Sequence, residues 1–205
     1  MSESRASSPA GAYHVGMREL QDHFDTRRLA DRLAERLSRT AFTDEDKAFI
    51  ESRPMFFLAT ADADGQPDCS YKGGMPGFVR VTAESELAFP SYDGNGMFRS
   101  LGNLLVNARV GMLFLDFEQP RRLRVNGCAS LRFEDVLLGE FAGAQAIVRV
   151  RAQSIFPNCP RYIHRMKWLE PSAYAPRPGH LSPVPAWKQM PHFNEVLPPG
   201  DAARR

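Results

Sequence analysis

From residue 55 to residue 156, short apolar or alternating segments are separated by turn-forming residues. Such segments are typical of β-strands, and most of the gaps between them are too short to hold a helix. Strands are predicted at residues 55–61, 66–72, 78–81, 86–89, 110–117, 122–133 and 145–156. Six or seven closely spaced strands in a 205-residue chain predict a mainly β fold, a closed antiparallel barrel with peripheral helices.

Two features within these segments predict how the strands connect. Residues 62–65, Asp-Ala-Asp-Gly, are typical of a tight turn, so the first two strands are expected to pair as a hairpin. Asn126-Gly127 lies inside the sixth segment, where it is either another hairpin turn or a β-bulge. The alternation of apolar residues resumes at Ala129, which favours the bulge within one long strand.

Helical spacing is found mainly outside the strand segments. In residues 17–38, apolar side chains recur about every fourth position, which predicts one amphipathic helix over a face or end of the sheet. A second helix is expected to begin after Thr43, a good N-cap that precedes three acidic residues, and to end before Pro54. Shorter helices are predicted at 137–142 and 161–169.

Composition divides the chain into four parts. Residues 1–16 are expected to form a disordered N-terminal tail. The N-terminal helices then occupy 17–54, and the barrel occupies 55–170. The remainder, 171–205, is a Pro-rich C-terminal extension.

The connection from residue 89 to residue 107, FPSYDGNGMFRSLGNLLVN, carries the clearest sign of a binding site. Its loop is rich in turn formers, and Asn95 is expected to cap a helix whose first turn carries Arg99 and Ser100. Free N–H groups at a helix start, beside an Arg and a Ser, form a natural phosphate site. The alternative is an ordinary connection with a solvated Arg. The helix is expected to seat on the core through Leu101, Leu104 and Leu105.

Composition also limits the classes of partner and the location. The net charge of +2 at pH 7 gives no reason to expect binding to nucleic acid or to an anionic membrane. The three cysteines are far apart, lack a zinc spacing, and fit free thiols in a reducing compartment. Neither a signal-peptide stretch nor an apolar run of roughly 18 residues is present, so a cytoplasmic location is expected.

Four segments, taken in order, resemble those of the pyridoxamine 5′-phosphate oxidase-like family. They are FFLATADADGQPDCSYKGG, the strand end Phe89-Pro90, GMFRSLGNLLVNARVGMLF and RRLRVNGCASL, and NCPRYIH also looks like a subgroup of FMN-binding members. The resemblance implies an FMN-binding split β-barrel, six- to seven-stranded and antiparallel, of the Greek-key type. It also implies a homodimer that holds FMN at the subunit interface.

Matching the family's residues one at a time implies a cofactor site. Ser70 and Ser100 stand where the oxidases have a phosphate-binding Arg and a Lys. Lys72 is two residues after Ser70, so it shares a strand face and is expected to replace the missing charge. Arg99 matches the family's Arg at the helix start, and Arg122 stands where a Gln reaches the flavin from the other subunit. The implied cofactor-binding residues are Ser70, Lys72, Phe89, Pro90, Asn95, Met97, Arg99, Ser100, Asn103 and Arg122.

Departures from the family pattern bear on the reaction. Two cationic ligands have become serine, and the family's C-terminal substrate motif is absent, so pyridoxamine phosphate is not the expected substrate. The resemblance implies an FMN-dependent oxidoreductase that acts on another small molecule, with no catalytic residue identified. The alternatives are a non-catalytic flavin-binding module for storage or sensing, and the same barrel with haem or a deazaflavin. Lys72 and Arg122 also have plainer interpretations, as a surface lysine and as part of a solvated sheet face.

Overall fold

The structure is a computed structural model that describes residues 13–204, so residues 1–12 of the predicted tail lie outside the described residues. The disorder predicted up to residue 16 was wrong at its end, because Val15 and Gly16 already belong to a helix. All seven predicted strands are present. They are β1 (Met55–Ala61), β2 (Pro67–Gly73), β3 (Arg80–Ala83), β4 (Glu86–Tyr92), β5 (Arg109–Asp116), β6 (Arg121–Arg132) and β7 (Ala144–Pro157). The helices are α1 (Val15–His23), α2 (Arg27–Leu37), α3 (Asp44–Glu51), α4 (Arg99–Val106) and α5 (Pro191–Asn194), and 3-10 turns lie at Leu138–Glu140, Ala186–Gln189 and Ala202–Arg204.

The strands form one antiparallel sheet in the order β2-β1-β5-β6-β7-β4-β3. Strands β5, β6 and β7 lie side by side in chain order, and β4, which precedes them, lies next to β7. This arrangement of four strands is a Greek key. The prediction of a mainly β, antiparallel Greek-key fold is therefore confirmed.

The sheet curls around a single main core. The ring of Phe56 in β1 lies 5.0 Å from the ring of Phe89 in β4, although three strands separate β1 from β4 in the sheet. It also lies 5.2 Å from the ring of Phe114 in β5. A flat sheet would hold β1 and β4 far apart, because neighbouring strands are about 4.8 Å from each other. The curled sheet is a split barrel.

In the described part of the chain, the barrel is not closed by hydrogen bonds, which corrects the closed barrel predicted from strand spacing and agrees with the predicted split barrel. Within residues 13–204, β2 and β3 are the two edges of the sheet and do not pair with each other. Helices cover these edges instead, since α4 packs against β1 and β2 while α3 packs against β3. The candidate site lies at the β2 edge, where α4 meets the sheet.

The structure confirms a bulge, and not a hairpin turn, at Asn126-Gly127. The register of β6 on β7 shifts at this point, because Asn126 pairs with Ser154 while Gly127 pairs with Ala152. The extra residue is therefore Gln153 of β7, a detail that the sequence of β6 could not reveal. A Cβ atom on Gly127 would lie 2.2 Å from the carbonyl oxygen of Arg151, so the close approach of the two strands requires glycine.

The single helix predicted at 17–38 was wrong, because the chain breaks it into α1 and α2. Asp25 has φ of 50°, a left-handed conformation that ends α1 and that Asp tolerates better than most residues. Neither helix buries a residue, so their apolar side chains stay exposed in the single chain. No helix among residues 13–204 is long and apolar enough to span a membrane.

The prediction for α3 is confirmed. The hydroxyl of Thr43 accepts a hydrogen bond from the backbone N–H of Asp46 at 3.1 Å, and the Asp46 carboxylate accepts one from the backbone N–H of Thr43 at 3.0 Å. This reciprocal pair is a capping box. Asp46 also accepts hydrogen bonds from Arg39, which joins the chain before α3 to the helix start.

The helix predicted at 161–169 was wrong, and the helix predicted at 137–142 shrinks to the 3-10 turn Leu138–Glu140. In the first segment, the backbone N–H of Met166 donates to the carbonyl of Phe117 at 3.0 Å. The N–H of Trp168 donates to the carboxylate of Glu118 at 3.0 Å. These donors serve the β5–β6 turn, so they are not available for a helical ladder.

Candidate functional site

Strand β2 carries three polar side chains on the inner face of the sheet. They are Asp68, Ser70 and Lys72, which alternate with the exposed residues Cys69 and Tyr71. Opposed residues of an antiparallel pair point to the same face of the sheet. In the register with β1, these three side chains lie opposite the buried residues Thr60, Leu58 and Phe56, in that order. The polar groups of β2 thus lie where the core meets the edge of the barrel.

Helix α4 lies over this edge and begins later than predicted. Its N-cap is Phe98, in a left-handed conformation with φ of 49°, so the prediction that Asn95 caps the helix was wrong. Asn95 instead closes a local turn, because its side-chain oxygen accepts a hydrogen bond from the N–H of Met97 at 3.0 Å. Gly96, with φ of 74°, adds a further turn before α4 starts at Arg99.

The seating of α4 on the core is partly as predicted. Leu104 is buried and Leu101 packs against the main core, but Leu105 is 73% exposed. Positions 101 and 104 are three apart and share a face, whereas position 105 turns away from the sheet here. This rotation directs Ser100 inward, and only 6% of Ser100 is exposed.

Five side chains from β2 and α4 form what we call the polar cluster: Asp68, Ser70, Lys72, Arg99 and Ser100. The hydroxyl oxygens of Ser70 and Ser100 are 2.9 Å apart. The Ser100 hydroxyl donates to the Asp68 carboxylate at 3.0 Å, and the Lys72 ammonium donates to the Ser100 hydroxyl at 3.4 Å. Arg99 Nε lies 3.8 Å from the Asp68 carboxylate. The structure therefore brings together four of the predicted phosphate-site residues.

The charges of the polar cluster are unevenly exposed. Lys72 is half-buried, and this burial lowers the pKa of its ammonium group while the charge of Asp68 acts in the opposite direction. The side chain of Arg99 is 71% exposed, so solvent screens its charge. Two cations and one carboxylate leave the cluster with a formal charge of +1.

Asn103, the next predicted site residue on α4, has a structural partner. Its amide donates a hydrogen bond to the hydroxyl of Thr60 at 3.0 Å. Thr60 is buried, so this bond satisfies a polar group that would otherwise lack a partner. Asn107 ends α4, and its amide donates to the carbonyl of Asp62 at 3.3 Å.

A cavity of about 380 Å³ adjoins the polar cluster at Lys72. Its walls include four predicted site residues, Lys72, Phe89, Pro90 and Asn95. The side chain of Phe89 belongs to the core, since Phe89 is 1% exposed. We call this space the small cavity.

Three predicted residues lie outside both the polar cluster and the small cavity: Asn103, which contacts Thr60, and Met97 and Arg122. Met97 is largely exposed in the loop before α4. Arg122 pairs with Leu115 on the face of β6 opposite to the core residue Leu123. Its Nε atom is buried and has no hydrogen-bond partner within residues 13–204. A single chain therefore does not bring Arg122 to the cluster.

A second, larger cavity of about 830 Å³ was not predicted from the sequence. It lies between the sheet and the segment 166–176, and it shares Tyr71, Gly73, Tyr92 and Asp93 with the small cavity. Burial raises the pKa of the Tyr92 phenol above its ordinary value. Among its aromatic lining residues are Tyr71, Tyr92, Phe117, Trp168 and Tyr174.

Asp93 is held by a buried lysine from the C-terminal segment. The ammonium group of Lys188 lies 2.8 Å from the Asp93 carboxylate and 2.7 Å from the Asp201 carboxylate. The side chain of Lys188 is only 5% exposed. This contact fixes the end of the chain to the loop that leads into α4. Sequence reasoning gave no signal for it, because nothing in the local pattern distinguishes Lys188 from a surface lysine.

The family model for pyridoxamine 5′-phosphate oxidase matches residues 42–169, which is more than half of the 205-residue chain. The chain belongs to this family. The match includes all of β1 to β7 and the whole polar cluster. No curated protein matches the chain in sequence.

Solved structures with a similar fold include those of three other proteins. HupZ of Group A Streptococcus is 22% identical with a TM-score of 0.46, over 57% of this chain and 93% of its own. An FMN-binding protein of Syntrophomonas wolfei is 11% identical with a TM-score of 0.44, over 68% and 97%. The haem storage protein HutZ of Vibrio cholerae is 22% identical with a TM-score of 0.42, over 55% and 91%. At these scores, none of the likenesses bears on the cofactor or reaction of this chain.

Proposed function

We propose that this member of the pyridoxamine 5′-phosphate oxidase family binds FMN and acts as an oxidoreductase on a small molecule. In this proposal the polar cluster holds the phosphate and the small cavity takes part of the ring system. One observation carries it: two cations and two hydroxyls meet at the edge of a cavity. Such a donor set fits a phosphate group, which accepts charge-assisted hydrogen bonds.

The fit is good for four side chains of the polar cluster and poor for one. Ser70 and Ser100 present hydroxyl donors, and Lys72 and Arg99 present positive charge. Asp68 opposes a phosphate because it is itself an anion. When bound, FMN would supply the electron transfer, and the protein would bind and orient it. The larger cavity, which adjoins the small one, is the proposed place for the substrate.

The cofactor proposal predicts a preference for FMN over riboflavin. We expect the purified protein to be yellow, or to become so when FMN is added, and we expect riboflavin to bind about tenfold more weakly. Lys72→Met should weaken FMN binding by about tenfold and leave riboflavin binding unchanged, because it removes one charge-assisted hydrogen bond. Flavin fluorescence titration measures both affinities.

Two further variants calibrate this result. Lys47→Met makes the same substitution at an exposed position of α3 and should change neither affinity. Arg99→Ala should have a smaller effect than Lys72→Met, because Arg99 is mostly exposed and screened. Equal affinity of the parent for FMN and riboflavin would remove the basis for the phosphate site. A haem absorption band in place of the flavin bands would favour the haem alternative, and absence of turnover with NAD(P)H or oxygen would favour the storage or sensing module.

We further propose that the protein is a homodimer with FMN at the subunit interface. The support in this chain is the buried, unpartnered Nε of Arg122, on a sheet face away from the polar cluster. Light scattering should give about 46 kDa, twice the 23.0 kDa chain. Since a ligand that touches both chains favours the assembled form, dilution should release FMN and added FMN should raise the melting temperature. A flavin-loaded monomer at all concentrations would contradict this assembly.

A further inference from the structure

We infer that Asp68 is a specificity-determining residue that competes with phosphate for the polar cluster and lowers its affinity for FMN. The inference rests on the proposed function, since it concerns the site assigned to the FMN phosphate. It goes beyond that function because it assigns an opposing role to a residue of this chain. Asp68 lies on the same face of β2 as Ser70 and Lys72 and belongs to the cluster that they form.

The Ser100 hydroxyl is already engaged with Asp68 in the polar cluster. A serine hydroxyl has one O–H to donate, and that of Ser100 is directed to the Asp68 carboxylate at 3.0 Å. Its remaining contacts are the Lys72 ammonium, which is a donor, and the Ser70 hydroxyl. To donate to a phosphate oxygen, Ser100 has to give up its bond to Asp68. The only proton of the buried Ser100 hydroxyl is therefore already donated to a carboxylate.

Asp68 also interacts with both cations of the polar cluster. Arg99 lies 3.8 Å from the Asp68 carboxylate, and Asp68 also interacts electrostatically with Lys72. The same carboxylate thus compensates both positive charges that would attract a phosphate. With Asp68 ionised the cluster carries a formal charge of +1, whereas a phosphate monoester carries about −1.5 to −2 at neutral pH. Without the carboxylate, the charge of the cluster would be +2 and would match the phosphate.

A phosphate bound to Ser100 would lie close to the Asp68 carboxylate. If a phosphate oxygen accepted a hydrogen bond from Ser100, it would lie about 2.7 Å from that hydroxyl oxygen. Asp68 lies 3.0 Å from the same oxygen atom. The two anionic oxygens would then be separated by no more than about 6 Å, which is within the screening length of about 8 Å at physiological salt. Salt therefore does not fully screen the repulsion between the phosphate and the Asp68 carboxylate.

Asp68→Asn tests the inference, because it removes the charge and keeps the shape and a carbonyl that can accept from Ser100. We expect FMN to bind about tenfold more tightly to the variant than to the parent, with riboflavin unchanged. The preference for FMN over riboflavin should rise accordingly. Asp64→Asn, which removes one negative charge from the exposed turn between β1 and β2, is the matched control and should leave both affinities as they are. Asp68→Thr removes the charge with a strand-favouring residue and serves if the first variant is unstable.

Inorganic phosphate, followed through the amide NMR signals of Ser70 and Ser100, separates this inference from the proposed function. If neither parent nor variant binds flavin but Asp68→Asn binds phosphate about tenfold more tightly than the parent, the proposed function fails and the role of Asp68 stands. If flavin binds and Asp68→Asn binds FMN no more tightly, or more weakly, Asp68 is not a competitor and the inference is overturned. The same conclusion follows if flavin does not bind and the variant shows no gain in phosphate affinity.

Discussion

Gly127→Ala should destabilise the fold by at least about 3 kcal/mol, or prevent folding, because the new methyl group has no space. Its Cβ atom would lie 2.2 Å from the carbonyl oxygen of Arg151 and 3.1 Å from the Cα of Ala152. These are backbone atoms of β7, which is hydrogen-bonded to β6 at this point. A side chain could rotate away from the methyl group, but the paired backbone has to move and break part of the ladder.

Gly102→Ala provides the matched control for the same substitution. A Cβ built on Gly102, which sits within α4, has no heavy atom within 4 Å other than those of its chain neighbours and of its own helix backbone. Replacing glycine by alanine in a helix should stabilise it by up to about 1 kcal/mol. Urea unfolding of both variants should therefore shift the midpoint in opposite directions. An unfolding midpoint of Gly127→Ala at or above that of the parent would show that β7 relaxes more easily than its pairing implies.

The strands could be predicted because their patterns depend on local sequence. Alternation and turn residues define β1, β2 and β6 well, and the bulge at Asn126-Gly127 followed from the resumed alternation. The wrong predictions concern segments whose structure is determined by contacts with residues distant in the sequence. The segment 161–169 has helical spacing, but its N–H groups bond to Phe117 and Glu118, and nothing in the local sequence reveals those partners.

The candidate site likewise has residues that the sequence predicts and features that it does not predict. Ser70, Lys72 and Ser100 were predicted, and the structure places them together. Asp68 was missed, although the alternation that related Lys72 to Ser70 also places Asp68 on that face. The larger cavity could not be predicted, because it exists only where a C-terminal segment meets the ends of several strands.

Lys188→Met should destabilise the packing of the C-terminal segment by about 2 kcal/mol. Removing one partner of a buried ion pair usually costs more, but the side chain of Asp93 is 63% exposed and water can solvate it. Water cannot solvate Asp201 to the same extent, because its side chain is only 9% exposed and would lose its main partner. Lys47→Met, at an exposed position of α3, should leave stability unchanged. Hydrogen exchange of residues 186–204 measures the effect locally.

A double variant tests whether the cost comes from the unpaired charge. Asp201→Asn combined with Lys188→Met removes both members of the less exposed pair, so it should be more stable than the sum of the single changes predicts. If the two effects simply add, Lys188 stabilises the segment by packing its methylene groups, and its charge is unimportant.

The pH dependence of stability provides an independent check on the same contact. Burial lowers the pKa of Lys188, but the hydrogen bonds to Asp201 and Asp93 outweigh burial and raise that pKa above its ordinary value of 10.5. The hydrogen bond from Lys188 lowers the pKa of Asp201 below 3.8. Lys188 therefore contributes stability that is complete below pH 10.5 and is lost as the pH rises through its folded pKa. Asp201 contributes stability above 3.8 that is lost as the pH falls through its folded pKa.

Lys188→Met should flatten this profile at both ends, since it removes one titrating group and the cause of the shift in the other. The effect should extend to the candidate site, because Asp93 lines both cavities and begins the loop that leads to α4. We therefore expect faster hydrogen exchange in residues 93–98 of the variant as well as in 186–204. Unchanged exchange in 93–98, with loss of protection confined to the C-terminal segment, would show that this loop holds its position without Lys188.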